Sequence, residues 1–167
     1  MSANGIMGRR ADGTAAVNYP DVAVAVGGLL GLTGVYLNWF RYSYNVSGGT
    51  IPRYLSGFED WTGQVAFIAG IAAFAFAIAH VLLADPQIRR LTGALMGIAA
   101  VLLLAACIAA FFRVDAVTEN PVLLGVEPGT RVAIAVGVSG GLLVSAVGGI
   151  FAVVGALLSL RPPGTYS

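Results

Sequence analysis

The chain has 167 residues, 57% hydrophobic and 10% charged, with 23 glycines and a formal net charge of +1. Soluble domains typically carry about 25% charged residues, so there is too little polar surface here for a soluble globule or a disordered tail. A net charge near zero provides no field for nucleic acid, and a single cysteine, Cys107, allows no internal disulfide and no cysteine-based metal site within one copy.

Four apolar stretches can each cross a hydrocarbon core, which takes about 20 helical residues: residues 22–40, 63–84, 91–112 and 132–160. None holds an acid or a base in its interior, and the short alternating segments of a membrane barrel do not occur. The sequence therefore predicts an all-α membrane protein with four transmembrane helices in an antiparallel bundle.

Residues 1–21 are polar, glycine-containing and aperiodic, the pattern of a mobile arm. The first span follows Arg9 and Arg10 as a signal peptide would. It starts some twenty residues in, outruns a signal's apolar core and ends in Leu37-Asn38-Trp39-Phe40 with no small-residue cleavage site, so a retained helix is expected. Pro20 restricts the chain and Asp21 suits the positive end of a helix dipole, marking a helix start.

The loop after the first span is rich in aromatics: Trp39, Phe40, Tyr42 and Tyr44 on one side, Tyr54, Phe58 and Trp61 on the other. Between them residues 45–50 have turn composition, so 41–46 and 50–55 can pair as a short hairpin. Two readings stay open. The aromatics can form a belt at headgroup level, or Trp39, Arg41, Tyr44, Arg53, Tyr54, Phe58 and Trp61 can form a recognition surface, since aromatics and arginine dominate interface hot spots.

The link at 85–90 is short and forces an antiparallel pair, with Asp85 and Pro86 stopping the second helix and Thr92 just inside the third. His80 lies about one turn from the end of the second span. A polar residue at membrane depth is a functional candidate by default, and the alternative is a capped histidine facing a helix interface. The second long loop, 113–131, reads as a solvated connector in which Arg113 and Arg131 snorkel and pair with Asp115, Glu119 and Glu127.

In the fourth span Gly137, Gly141, Ser145 and Gly149 recur every four residues as a small-residue stripe. The stripe can seat the helices of one bundle or dock a helix from another subunit. At 29 residues this span reaches about 43 Å at 1.5 Å per residue, which requires tilt or a protruding end. Pro162 and Pro163 then open a short tail, 161–167.

Both tails and the short link carry Arg9, Arg10, Arg89, Arg90 and Arg161, against Arg41, Arg53, Arg113 and Arg131 on the long-loop side. This bias places both termini in the cytoplasm. All nine basic residues are arginine, and with the excess of Ala, Gly and Val this points to a GC-rich prokaryotic genome and so to the plasma (inner) membrane.

The run Tyr36-Leu37-Asn38-Trp39-Phe40, the loop, and then Gly57-Phe58-Glu59-Asp60-Trp61-Thr62-Gly63 resembles small bacterial tetraspan membrane proteins over residues 22–84. That resemblance implies the four-helix layout and no particular activity. The outline is also similar to claudins, whose first loop has a Trp, a Gly-Leu-Trp and two cysteines. This chain lacks both cysteines there, so no claudin function carries over.

Cys107 behaves as a small apolar residue. The inventory supplies no nucleophile, base and orienting acid inside the membrane, and no enzyme activity, cofactor or metal is expected. The expected role is a non-catalytic accessory or structural subunit that binds and stabilises a larger membrane complex through its helices and outward loops. Its partners are the lipid bilayer and other membrane subunits or itself. The rival is a small-molecule or lipid carrier or channel formed by oligomerisation.

Overall fold

The computed structural model describes residues 18–46, 49–83, 85–114 and 134–159. Its elements in chain order are α1 (Tyr19–Tyr36), β1 (Asn38–Val46), β2 (Gly49–Ser56), a 3-10 turn (Gly57–Glu59), α2 (Trp61–Leu82), α3 (Pro86–Phe112), β3 (Ile134–Val138) and α4 (Gly140–Ser159). All four α-helices are long and apolar enough to cross a membrane. Each packs beside two others in a ring, with α1 against α2 and α4, and α3 against α2 and α4.

α1 opens as its sequence suggests, with extended Asn18 as N-cap, Pro20 in the first turn and Asp21 following. It closes four residues before the expected end at Phe40. Leu37 turns extended and its N–H bonds to the Gly34 carbonyl at 3.1 Å. The aromatic run that follows suits a strand, and Trp39 folds back so that its Nε1 donates to the same carbonyl at 2.9 Å, fully buried.

The hairpin forms with Asn45 opposite Thr50 and Arg41 opposite Tyr54, interrupted by an irregularity between Asn38 and Phe40. Pro52 falls on β2, an edge strand, where a missing N–H is tolerated. The third strand comes from the other long loop: β3 pairs antiparallel with β1, placing Phe40 opposite Val138 and Tyr44 opposite Ile134. The sheet order is β2-β1-β3.

β3 corrects the expected fourth span. Residues 132–138 read Val-Ala-Ile-Ala-Val-Gly-Val, a strict alternation of β-branched and small residues, which is the period of a strand. The helix is the 20 residues Gly140–Ser159, about 30 Å long, and needs no tilt. The longest helix is instead α3, at 27 residues. Asp85 and Pro86 start α3 rather than stop α2: the Asp85 carboxylate accepts from the N–H groups of Gln87 (2.8 Å) and Ile88 (3.4 Å), and Pro86 takes the first helical position.

Two buried clusters fill the bundle. Beside the sheet, Val35, Trp39, Phe40, Tyr42, Leu55, Leu103 and Leu142 pack together. Toward the other end, Val24, Ala73, Ala77, Met96, Ala100 and Ala152 do so. The large apolar side chains on the outer surface, among them Ile68, Ile98, Phe112, Leu143 and Ile150, make a face suited to lipid tails.

Candidate functional site

The small-residue stripe is spent inside the chain. A Cβ on Gly148 would lie 2.6 Å from the Gly27 carbonyl oxygen, and one on Gly141 would lie 2.6 Å from that of Asn38. Ser145 is fully buried and its hydroxyl donates to the Gly31 carbonyl at 3.1 Å, a hydrogen bond between α4 and α1. Gly149 faces the backbone of Leu104 on α3. Gly137, expected in the same helical stripe, lies in β3, where a Cβ would meet nothing within 4 Å. The stripe is therefore Gly141, Ser145 and Gly149, with Gly148 beside it against Gly27 and Gly31 of α1.

The seven residues expected as one recognition surface divide into groups. Trp39 is buried as an anchor, and the absent side chain of Gly57 leaves room for its indole. Phe58 is half-buried, its ring 4.9 Å from Tyr36 and 4.8 Å from Phe67. Arg41 and Tyr54 are exposed and directly opposite across β1 and β2, so both project from one face of the sheet. Arg53 is exposed on the other face, paired in register with buried Tyr42. Tyr44 stands in β1 opposite Ile51, and its side chain lies outside those described. Trp61 is exposed at the start of α2, with the Arg113 guanidinium 5.2 Å from its ring centroid.

Arg113 reaches an acid at the start of α2. Its Nη1 donates to Asp60 Oδ1 at 3.1 Å. Asp60 also caps α2, accepting from the Thr62 N–H at 3.2 Å and from the Thr62 hydroxyl. One carboxylate thus ties the end of α3 to the start of α2. Asp115, Glu119, Glu127 and Arg131 lie outside the described residues.

At the opposite end of the bundle, His80 Nδ1 lies 3.3 Å from Thr92 Oγ1, and that hydroxyl is also 3.0 Å from the Ile88 carbonyl and 3.1 Å from that of Arg89. With the Thr92 proton directed to those carbonyls, the hydroxyl oxygen accepts from His80 Nδ1–H. The bond links α2 to α3.

Sequence reasoning missed Asp21. As the third residue of α1 it falls inside a membrane-spanning helix, and it is 3% exposed. Its Oδ1 is buried without a hydrogen-bond partner. Beside it a cavity of about 210 Å³ opens between α1 and α2, lined by Asp21, Val22, Ala25, Ala77, Ile78, Val81 and Leu82. The available signal was the Asn18-Tyr19-Pro20 helix start, which moves the span's first residue ahead of the aspartate. Among the described residues no three His, Cys, Asp or Glu side chains gather as a metal site.

These features define a class: an all-α membrane protein whose four-helix antiparallel bundle carries a small sheet built from both long loops. No protein-family model and no curated protein matches the chain.

Proposed function

We propose that the protein is a non-catalytic multi-pass subunit of a prokaryotic plasma membrane, with both termini cytoplasmic and the sheet outside, that binds and stabilises a larger membrane complex through that sheet. The carrying observation is the division of its surfaces. The small residues that permit close helix approach are occupied within the bundle, while Arg41, Tyr54 and Trp61 stand exposed at the sheet end. Aromatic and arginine side chains on a rigid base lose little entropy on docking and are the types that carry interface energy. Purification in mild detergent, with mass spectrometry of what accompanies the chain, tests this. A stoichiometric membrane partner lost in an Arg41→Ala/Tyr54→Ala double variant supports the reading, and a monomer without partners, both in detergent and after crosslinking in native membranes, opposes it.

A small-molecule or lipid carrier or channel, formed by oligomerisation, is the second reading. Buried Asp21 beside an apolar cavity favours it, because carboxylates within membrane spans mark binding and transport sites. Flux into liposomes that disappears in an Asp21→Asn variant would support this reading over the first.

A further inference from the structure

We propose that the cavity between α1 and α2 is a binding site for a primary ammonium group carried on an apolar chain, with Asp21 as its counter-ion. The site does not depend on either functional reading, since binding without transport satisfies it.

Three observations carry the assignment. Asp21 Oδ1 is buried and has no hydrogen-bond partner, an arrangement that costs several kcal/mol for a charged group unless the carboxyl takes up a proton or a donor completes it. The other cavity walls, Val22, Ala25, Ala77, Ile78, Val81 and Leu82, are wholly apolar. Depth then follows from the two helices. Asp21 is in the first turn of α1 and Leu82 ends α2, whereas Ala25, Ala77 and Ile78 lie about a turn further into the bundle. An amphiphile in a bilayer has the same polarity, with its head at the interface and its chain directed inward.

The volume, about 210 Å³, is roughly seven times the ~30 Å³ share of one liquid water, room for an ammonium and several methylenes. A bare divalent cation does not suit the site, because calcium takes about 6–8 oxygen ligands and no second acid lines the cavity. An anion would face the carboxylate. His80 Nδ1 is engaged with Thr92, and Arg113 pairs with Asp60. Asp21 is the one polar residue among those that line the cavity, so the ammonium reaches the carboxylate from the cavity side. The ammonium then offers up to three N–H donors, forming a charge-assisted bond.

The test uses the full chain in phosphatidylcholine nanodiscs, whose lipid has no primary amine. The probe is a dodecylammonium bearing a photoreactive diazirine, with the matching dodecanol as control, and labelled positions are mapped by mass spectrometry. Expected is saturable ammonium labelling of α1 and α2 around residues 22–25 and 77–82, at least tenfold above that of the alcohol. It should fall at least tenfold in Asp21→Asn and in Ala25→Leu, which fills the cavity but keeps the carboxylate. Equal labelling by ammonium and alcohol in the wild type overturns the proposal, as does unchanged labelling in either variant. If Asp21→Asn fails to reconstitute, the wild-type preference and Ala25→Leu decide. Discs containing phosphatidylethanolamine separate the sources: suppressed labelling identifies a membrane aminolipid as occupant, and persistent labelling a free amphiphilic amine.

Discussion

Gly148→Ala adds one methyl group where α4 packs tightly on the backbone of α1. The new Cβ would sit 2.6 Å from the Gly27 carbonyl oxygen, 2.6 Å from the Gly31 nitrogen and 2.9 Å from Leu30 Cβ, where carbon contacts normally lie at about 3.5–4.0 Å. The first two neighbours are backbone, so relief requires the helices to separate by about 1 Å. A radial gap of that size forfeits up to about half of each dispersion well along the seam, and lipid supplies no hydrophobic drive to compensate. Separation also stretches the Ser145–Gly31 hydrogen bond, a type that averages about 0.6 kcal/mol in membranes. With overpacking at about 1–3 kcal/mol, the expected loss is about 2–3 kcal/mol. Gly97→Ala, at a helical position where a Cβ meets nothing within 4 Å, should be neutral or stabilising by up to about 1 kcal/mol through helix propensity. Reversible unfolding in mixed dodecyl maltoside and SDS micelles measures both. A Gly148→Ala chain as stable as wild type, or a Gly97→Ala chain destabilised as much, would refute the assignment of the α1–α4 seam.

Trp39→Ala removes a fully buried indole and its bond to Gly34 and should cost about 3–5 kcal/mol, read by the same titration; a loss below about 1 kcal/mol would mean that the sheet does not depend on this anchor. Asp85→Ala should cost about 1 kcal/mol through loss of the α3 cap, and hydrogen exchange should rise at the Gln87 and Ile88 amides before anywhere else in α3. A double-mutant cycle of Asp60→Ala and Arg113→Ala should give a coupling below about 1 kcal/mol that shrinks with added salt, because the Arg113 side chain is 38% exposed.

The helical core of each span is legible because hydropathy and length act over a whole window. Span ends are less so, as shown by Leu37 and by residues 134–138. The sequence Val-Ala-Ile-Ala-Val-Gly-Val is as apolar as the helix after it, and only its two-residue period separates them. The hairpin was readable from its turn residues and flanking aromatics, but its third strand comes from about ninety residues further along the chain, a pairing that no local signal specifies. Seven residues near one another in sequence likewise gave no information about face: register places Arg41 with Tyr54 and turns Arg53 to the other side. The small-residue stripe announced close packing without naming the partner, because glycine presents the same smooth backbone to a helix of its own chain or of another. Asp21 looked like an ordinary helix-start acid, and its burial depends on α2 covering it.

A single residue, Leu37, separates α1 from β1, and a single residue, Ser139, separates β3 from α4. Ser139 is itself held, its N–H donating to the Trp39 carbonyl at 2.8 Å. The helix pair α1–α4 and the strand pair β1–β3 are therefore consecutive stretches of the same two antiparallel chain segments. Displacing the strands thus pulls directly on the C-terminal end of α1 and the N-terminal end of α4.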